Sequence, residues 1–126
     1  MFRLFDLTLR LNGFSMKDAK AELRKIVALS EVDHKIFIEN KKQEIVKFHL
    51  GNNSFYQQLV GSKTYGEWNY LPILNKTNLQ SPLLERLSKG YSQKDIFLNK
   101  TSGSSGTPFI FAKDKYCHAM TWASII

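Results

Sequence analysis

The sequence predicts a mixed α/β chain: a helical first half that leads into a strand, a long polar loop, a second strand and a closing helix. Three observations carry this. Between Ser15 and Leu50 apolar residues recur at helical spacing behind Ser/Asp capping signatures. Two short runs, Asp95-Ile96-Phe97-Leu98-Asn99 and Phe109-Ile110-Phe111, have the aromatic and β-branched bias of strands. Between them lies Lys100-Thr101-Ser102-Gly103-Ser104-Ser105-Gly106-Thr107-Pro108, with two glycines and four hydroxyl side chains from Ser102 through Thr107. Residues 1–92 are expected to be mainly helical and 93–126 to form strand, loop, strand and helix, all within one domain.

Each element has a local reason. Met1 to Leu11 is apolar, but Arg3, Asp6 and Arg10 interrupt it before a signal-peptide core or a membrane-spanning length accrues. Phe2, Phe5 and Leu9 share one helical face with arginines beside it, readable as an amphipathic segment lying on a membrane or, in preference, as a face that docks on the rest of the protein. After the Asn12-Gly13 turn, Ser15 with Asp18 caps a helix carrying Met16, Ala19, Leu23, Ile26 and Val27 and ending near Leu29. Ser30 with Asp33 repeats the signature. The longer helix that follows, to about Leu50, carries Val32, Ile36, Ile38, Ile45 and Phe48 amid pairs such as Lys35/Glu39 and Glu44/Lys47. So short a joint predicts that the two helices pack as a hairpin.

Gly51-Asn52-Asn53 is a helix stop, Ser54 caps a short helix through Phe55, Tyr56 and Leu59, and Gly61 through Gly66 is a loop. Pro72 holds Leu71 extended, which makes Trp68 to Leu74 an irregular apolar strap. Asn75 then caps one short helix, and Ser81-Pro82 opens another that runs to about Ser88. Lys76 is readable as a phosphate ligand or as an exposed lysine on a capped first turn, and the second reading is preferred. Asp114 to Ile126 forms the last helix, with Tyr116, Met120 and Ala123 on one stripe and Trp122, Ile125 and Ile126 beside it. Its apolar, uncapped end reads as that of a chain that continues, with exposed apolar surface near Trp122 and Ile126.

The polar loop has two physical readings. Gly and Ser supply turns or a flexible spacer, or they turn backbone N–H groups and hydroxyls inward to form an anion-binding concavity that glycine lets the ligand approach. A Walker loop is excluded, because Gly106 is followed by Thr107-Pro108 and no lysine stands at the required offset. As a whole, Thr101-Ser102-Gly103-Ser104-Ser105-Gly106-Thr107-Pro108 resembles the phosphate-binding signature of the adenylate-forming (AMP-binding) superfamily. Upstream, Phe55-Tyr56 and Leu71-Pro72-Ile73-Leu74-Asn75-Lys76-Thr77-Asn78-Leu79 are similar to elements of its phenylacetate-CoA ligase and CapK-type branch. The resemblance covers most of the chain after Glu44.

The resemblance implies the N-terminal portion of a longer α/β ligase domain that activates a carboxylic acid with ATP as an acyl-adenylate. Coenzyme A is an acceptor it allows, and Mg2+ is expected in the full enzyme. Thr101, Ser102, Gly103, Ser104, Ser105, Gly106 and Thr107 would bind the ATP phosphates, with Lys100 as a nearby cation. The adenine and ribose sites, the metal ligands and the catalytic lysine would lie in later sequence, so this segment would hold no catalytic residue and no metal, and would be inactive alone. Many relatives place lysine after the loop's proline, where this chain has Phe109. That removes one cation, for which Lys100 and Lys113 are nearby substitutes, each equally readable as a solvated strand-end lysine. A CapK-type role in capsular polysaccharide assembly, without coenzyme A as acceptor, stays open. So do the acid substrate and the oligomeric state.

Composition bounds the alternatives. At 43% hydrophobic and 13% aromatic the chain is globular. Its net charge of +7 favours anionic partners, and a non-catalytic basic helical module on nucleic acid is the competing reading. Against it, the lysines mostly alternate with Glu or Asp along the helices, as on solvated faces. Cys117 is the only cysteine, which excludes an intrachain disulfide and fits a reducing cytoplasm, and His34, His49 and His118 lack zinc-motif spacing.

Overall fold

The computed structural model describes residues 2–61, 68–103 and 106–125, with the backbone alone over 2–6. Among the described residues lie six helices, α1 (Phe2–Leu11), α2 (Met16–Val27), α3 (Glu31–Asn52), α4 (Ser54–Val60), α5 (Leu83–Arg86) and α6 (Lys115–Ile125), and a two-stranded antiparallel sheet of β1 (Ile96–Lys100) and β2 (Ile110–Asp114). Single 3-10 turns lie at Trp68–Tyr70 and Thr77–Leu79. The mixed helical and β-hairpin architecture with a closing helix is therefore present.

The core is small and lies between α1, α2 and α6. Leu9, Met16, Ala19, Ala119 and Ala123 are buried together, with Phe14, Leu23, Met120 and Trp122 packed around them. Alanines at Ala19, Ala119 and Ala123 let the backbones of α2 and α6 approach closely. The expected α2–α3 hairpin is thus replaced by α2 on α6. The tight joint at Ser30 permits either arrangement, and the alanine faces decide it. α1 docks through Leu9 on this same core, while the side chains of Phe2 and Phe5 lie outside the described residues.

Caps follow the sequence where the reason is local. Ser30 Oγ accepts from the N–H of Asp33 at 3.1 Å and donates to its carboxylate at 2.6 Å. Ser15 occupies the equivalent position of α2 but makes no side-chain cap. Asn53, and not Ser54, caps α4: its Oδ1 accepts from Tyr56 N–H at 2.8 Å. Its Nδ2 donates to the Arg86 carbonyl at 2.9 Å and to Ser88 Oγ at 3.0 Å, and Lys89 N–H donates to the Asn52 carbonyl at 2.7 Å. A buried amide therefore fastens the α3–α4 joint to the segment after α5. α5 itself ends at Arg86, ahead of the expected Ser88, because Leu87 is already extended.

The ion pairs on α3 differ in partner from the sequence reading. Lys35 pairs with Glu31 at 2.7 Å, Lys42 with Glu39 at 2.6 Å and Lys41 with Glu44 at 2.6 Å, all within one helical turn and solvent exposed. Among the described residues no helix is long and apolar enough to cross a membrane. Exposed apolar surface is found at Ile125, as expected, but also on α3 at Val32 and Ile36 and on the strap at Ile73. Trp122 is half-buried, and Ile126 and the 62–66 loop lie outside the described residues.

α6 buries His118 and Ala119, while Tyr116 is exposed, so its inner face is displaced from the stripe read in the sequence. His118 stacks on Phe97 of β1 with ring centroids 3.8 Å apart and lies 5.0 Å from the ring of Phe14. Its Nε2 accepts from Trp122 Nε1–H at 3.0 Å, which requires that nitrogen to be unprotonated, and its buried Nδ1 has no partner among the described residues.

Burial, then the nearby Lys113 cation, holds the His118 pKa below its ordinary 6.5. Burial also lowers that of His49. The unfolded chain therefore binds more protons than the folded one at mildly acid pH. Stability from His118 is fully present above pH 6.5 and is lost as pH falls through that value toward the depressed folded pKa. One such group contributes at most about 1.4 kcal/mol per pH unit in that window. Urea midpoints measured across it should fall with acidification in the native chain and less steeply in His118→Phe; equal slopes would show that this ring is not the sensor.

Candidate functional site

The loop that joins β1 to β2 is held by its own ends. The strands pair with Lys100 opposite Ile110 and Ile96 opposite Asp114. One residue further, Thr101 N–H donates to the Phe109 carbonyl at 2.9 Å, and Phe109 N–H donates to Thr101 Oγ1 at the same distance. The threonine side chain thus takes the place of a backbone acceptor and closes the mouth of the loop. From outside, Arg86 donates through Nε to the Ser81 carbonyl at 2.9 Å and through Nη2 to the Ile110 carbonyl at 2.7 Å, with its guanidinium 5.6 Å from the Phe109 ring centroid. α5 is in this way tied to the loop's exit.

Two glycines shape the turn inside. Gly103 has φ +70° and Gly106 φ +119°, both in the left-handed region that side chains disfavour. Gly106 N–H donates to the Gly103 carbonyl at 2.9 Å. A Cβ on Gly103 would stand 2.8 Å from the Gly106 carbonyl oxygen and 2.9 Å from Pro108 Cγ, whereas one on Gly106 would meet nothing within 4 Å. At Gly103 glycine is required by conformation and by space together; at Gly106 by conformation alone.

Thr101, Ser102 and Gly103 line one wall of a cleft of about 390 Å3. Its other wall is Leu74, Asn75, Lys76 and Leu79, with Phe109 completing it. The two stretches that sequence reasoning singled out separately therefore meet. Asn75 and Asn78 hold the facing wall in shape: Asn78 N–H donates to Asn75 Oδ1 at 3.1 Å and Asn75 N–H to Asn78 Oδ1 at 2.9 Å. Lys76 sits inside that reciprocal pair, exposed, with its carbonyl accepting from Leu79 N–H at 3.2 Å.

The remaining candidates separate. Lys100 ends β1, exposed, and does not line the cleft; neither does Lys113, whose Nζ donates to Thr121 Oγ1 at 3.1 Å on α6. Thr107 is exposed and does not line it, and Ser104 and Ser105 lie outside the described residues. The amide of Gly106 donates within the loop, to the Gly103 carbonyl. Two features were missed in the sequence: Arg86, whose role depends on a carbonyl twenty-four residues away, and the second use of Thr101 as a mouth clamp.

Lys76 is the one formally charged group among the described lining residues of the cleft, which also include Thr101, Ser102 and Asn75, with Leu74, Leu79 and Phe109 as its apolar part. No Asp or Glu is among its described lining residues, and no group of three or more His, Cys, Asp or Glu able to hold a metal occurs among the described residues. Cys117 is no activated nucleophile either: desolvation first, then Asp114, raises its thiol pKa.

The two glycines should respond differently to substitution. Gly106→Ala should cost about 1 kcal/mol, the strain of a left-handed alanine, and Gly103→Ala more than that, because its methyl also collides with the Gly106 carbonyl and Pro108. Hydrogen exchange of the Thr101 amide, bonded across the loop mouth, reads both; equal acceleration in the two variants would contradict this geometry. No family model matches the chain, and neither a curated protein nor a solved structure matches it.

Proposed function

We propose that this chain is the phosphate-holding portion of a cytoplasmic, ATP-dependent ligase that activates a carboxylic acid as its acyl-adenylate, with further sequence supplying the adenine pocket and the catalytic lysine. The observation that carries the reading is the closed Gly/Ser/Thr loop on a β-hairpin, opening on a cleft whose described lining has a cation and no carboxylate. In the reaction a carboxylate attacks the α-phosphorus of ATP and pyrophosphate leaves. Ser102, the Gly103 backbone and the hydroxyl hydrogen of Thr101 would donate to the β- and γ-phosphates and follow the leaving group, so the contribution is electrostatic and positional. Transfer to coenzyme A, or to another acceptor in polysaccharide assembly, would be decided outside this segment.

Magnitudes set what the segment does alone. Three charge-assisted hydrogen bonds at about 1.5–3 kcal/mol each give roughly 5–9 kcal/mol, against an association cost of about 4 kcal/mol or more. The balance corresponds to about millimolar binding at best. The competing nucleic-acid reading draws on the charge of +7, yet Lys35, Lys41 and Lys42 are each paired within α3.

The test is a phosphorus NMR titration of the purified chain with ATP, alongside ATP–pyrophosphate exchange. Broadening of the β and γ resonances at millimolar concentration is expected, lost in Gly103→Val, with no exchange activity. Broadening that survives Gly103→Val, or salt-steep binding of oligonucleotides in preference to ATP, would defeat the reading.

A further inference from the structure

We infer that Lys76, on the strap that faces the loop, is a ligand of the terminal phosphates and supplies the cation that the loop itself lacks. This rests on the reading of the loop as a polyphosphate cradle and adds to it a second wall. The loop carries hydroxyls and amides but no charge between Thr101 and Pro108, and Phe109 follows the proline. Of the lysines near it in sequence, Lys100 does not line the cleft and Lys113 is turned to Thr121. Lys76 lines it from the opposite side, twenty-five residues before Thr101.

Position and preparation both favour a binding role. Among the described lining residues Lys76 meets no carboxylate that would satisfy it within the cleft. Its backbone is fixed on both sides by the reciprocal Asn75–Asn78 hydrogen bonds, so only the side chain has to order on binding, and the flexible ammonium end can follow a phosphate. Leu74, Leu79 and Phe109 give that wall an apolar backing that lowers the local dielectric and strengthens the pairing. The shared chemistry recognised is a chain of phosphates, from a nucleoside triphosphate or free.

The experiment titrates the full 126-residue chain with tripolyphosphate, ATP and AMP by phosphorus NMR, in native, Lys76→Met, Lys76→Gln, Lys76→Arg and Lys47→Met forms. Lys47 is an exposed lysine of α3, outside the cleft, and controls for net charge. Tripolyphosphate and ATP should bind alike and AMP far more weakly. Both neutral Lys76 variants should weaken binding about 10-fold, the loss of one charge-assisted contact, with Lys76→Arg largely restored and Lys47→Met native. Far-UV circular dichroism checks that the variants fold. If the Lys76 variants bind as Lys47→Met does while Gly103→Val abolishes binding, Lys76 is no ligand and the loop reading stands. If the native chain binds no phosphate chain at all, the loop reading fails and Lys76 with it. Preference for AMP over tripolyphosphate would overturn the phosphate-chain assignment itself.

Discussion

The exchange of hydrogen bonds between Thr101 and Phe109 is the constraint on which the candidate site depends. A two-stranded ribbon is marginal in water on its own, and a long connection between its strands adds closure entropy. Here the ribbon gains a further rung from a side chain where the loop begins, and one face of it rests on α6 through Phe97 and His118. Loop, hairpin and helix are in this sense one unit. The tight turn at Gly103 is tolerable because both of its flanks are already fixed.

That unit is joined to the helical half by few but specific contacts. Arg86 reaches from α5 to the start of β2, and α2 closes on α6 through alanines. Much of α3, by contrast, is a solvated rod with its charges paired along its own surface. The structure thus divides its labour: a compact region at the hairpin that fixes geometry, and a long helix whose exposed Val32 and Ile36 take no part in the core.

What could be read from the sequence was what depends on neighbours in the chain. The hairpin, the Ser30 cap, the Asn75 turn and the last helix follow from residue types three or four positions apart, and they appear within a residue or two of expectation. The partner of α2, the choice of Asn53 over Ser54 as a cap and the burial of His118 depend on surfaces brought from far along the chain. No local pattern encodes them. At the site, the loop was visible as a composition. Its meeting with the strap was not, because nothing in the spacing says that the turn at Lys76 and Ser102 line one cleft.

The buried amide of Asn53 has a wider bearing. Asn53 closes α3 with its backbone N–H, while its side chain begins α4 and receives the chain again some thirty-five residues later at Ser88. Segments so remote, meeting at a single polar pivot, lose or gain order in concert and not one by one. α4 and α5, at the two ends of the intervening stretch, therefore share one anchorage with the end of α3.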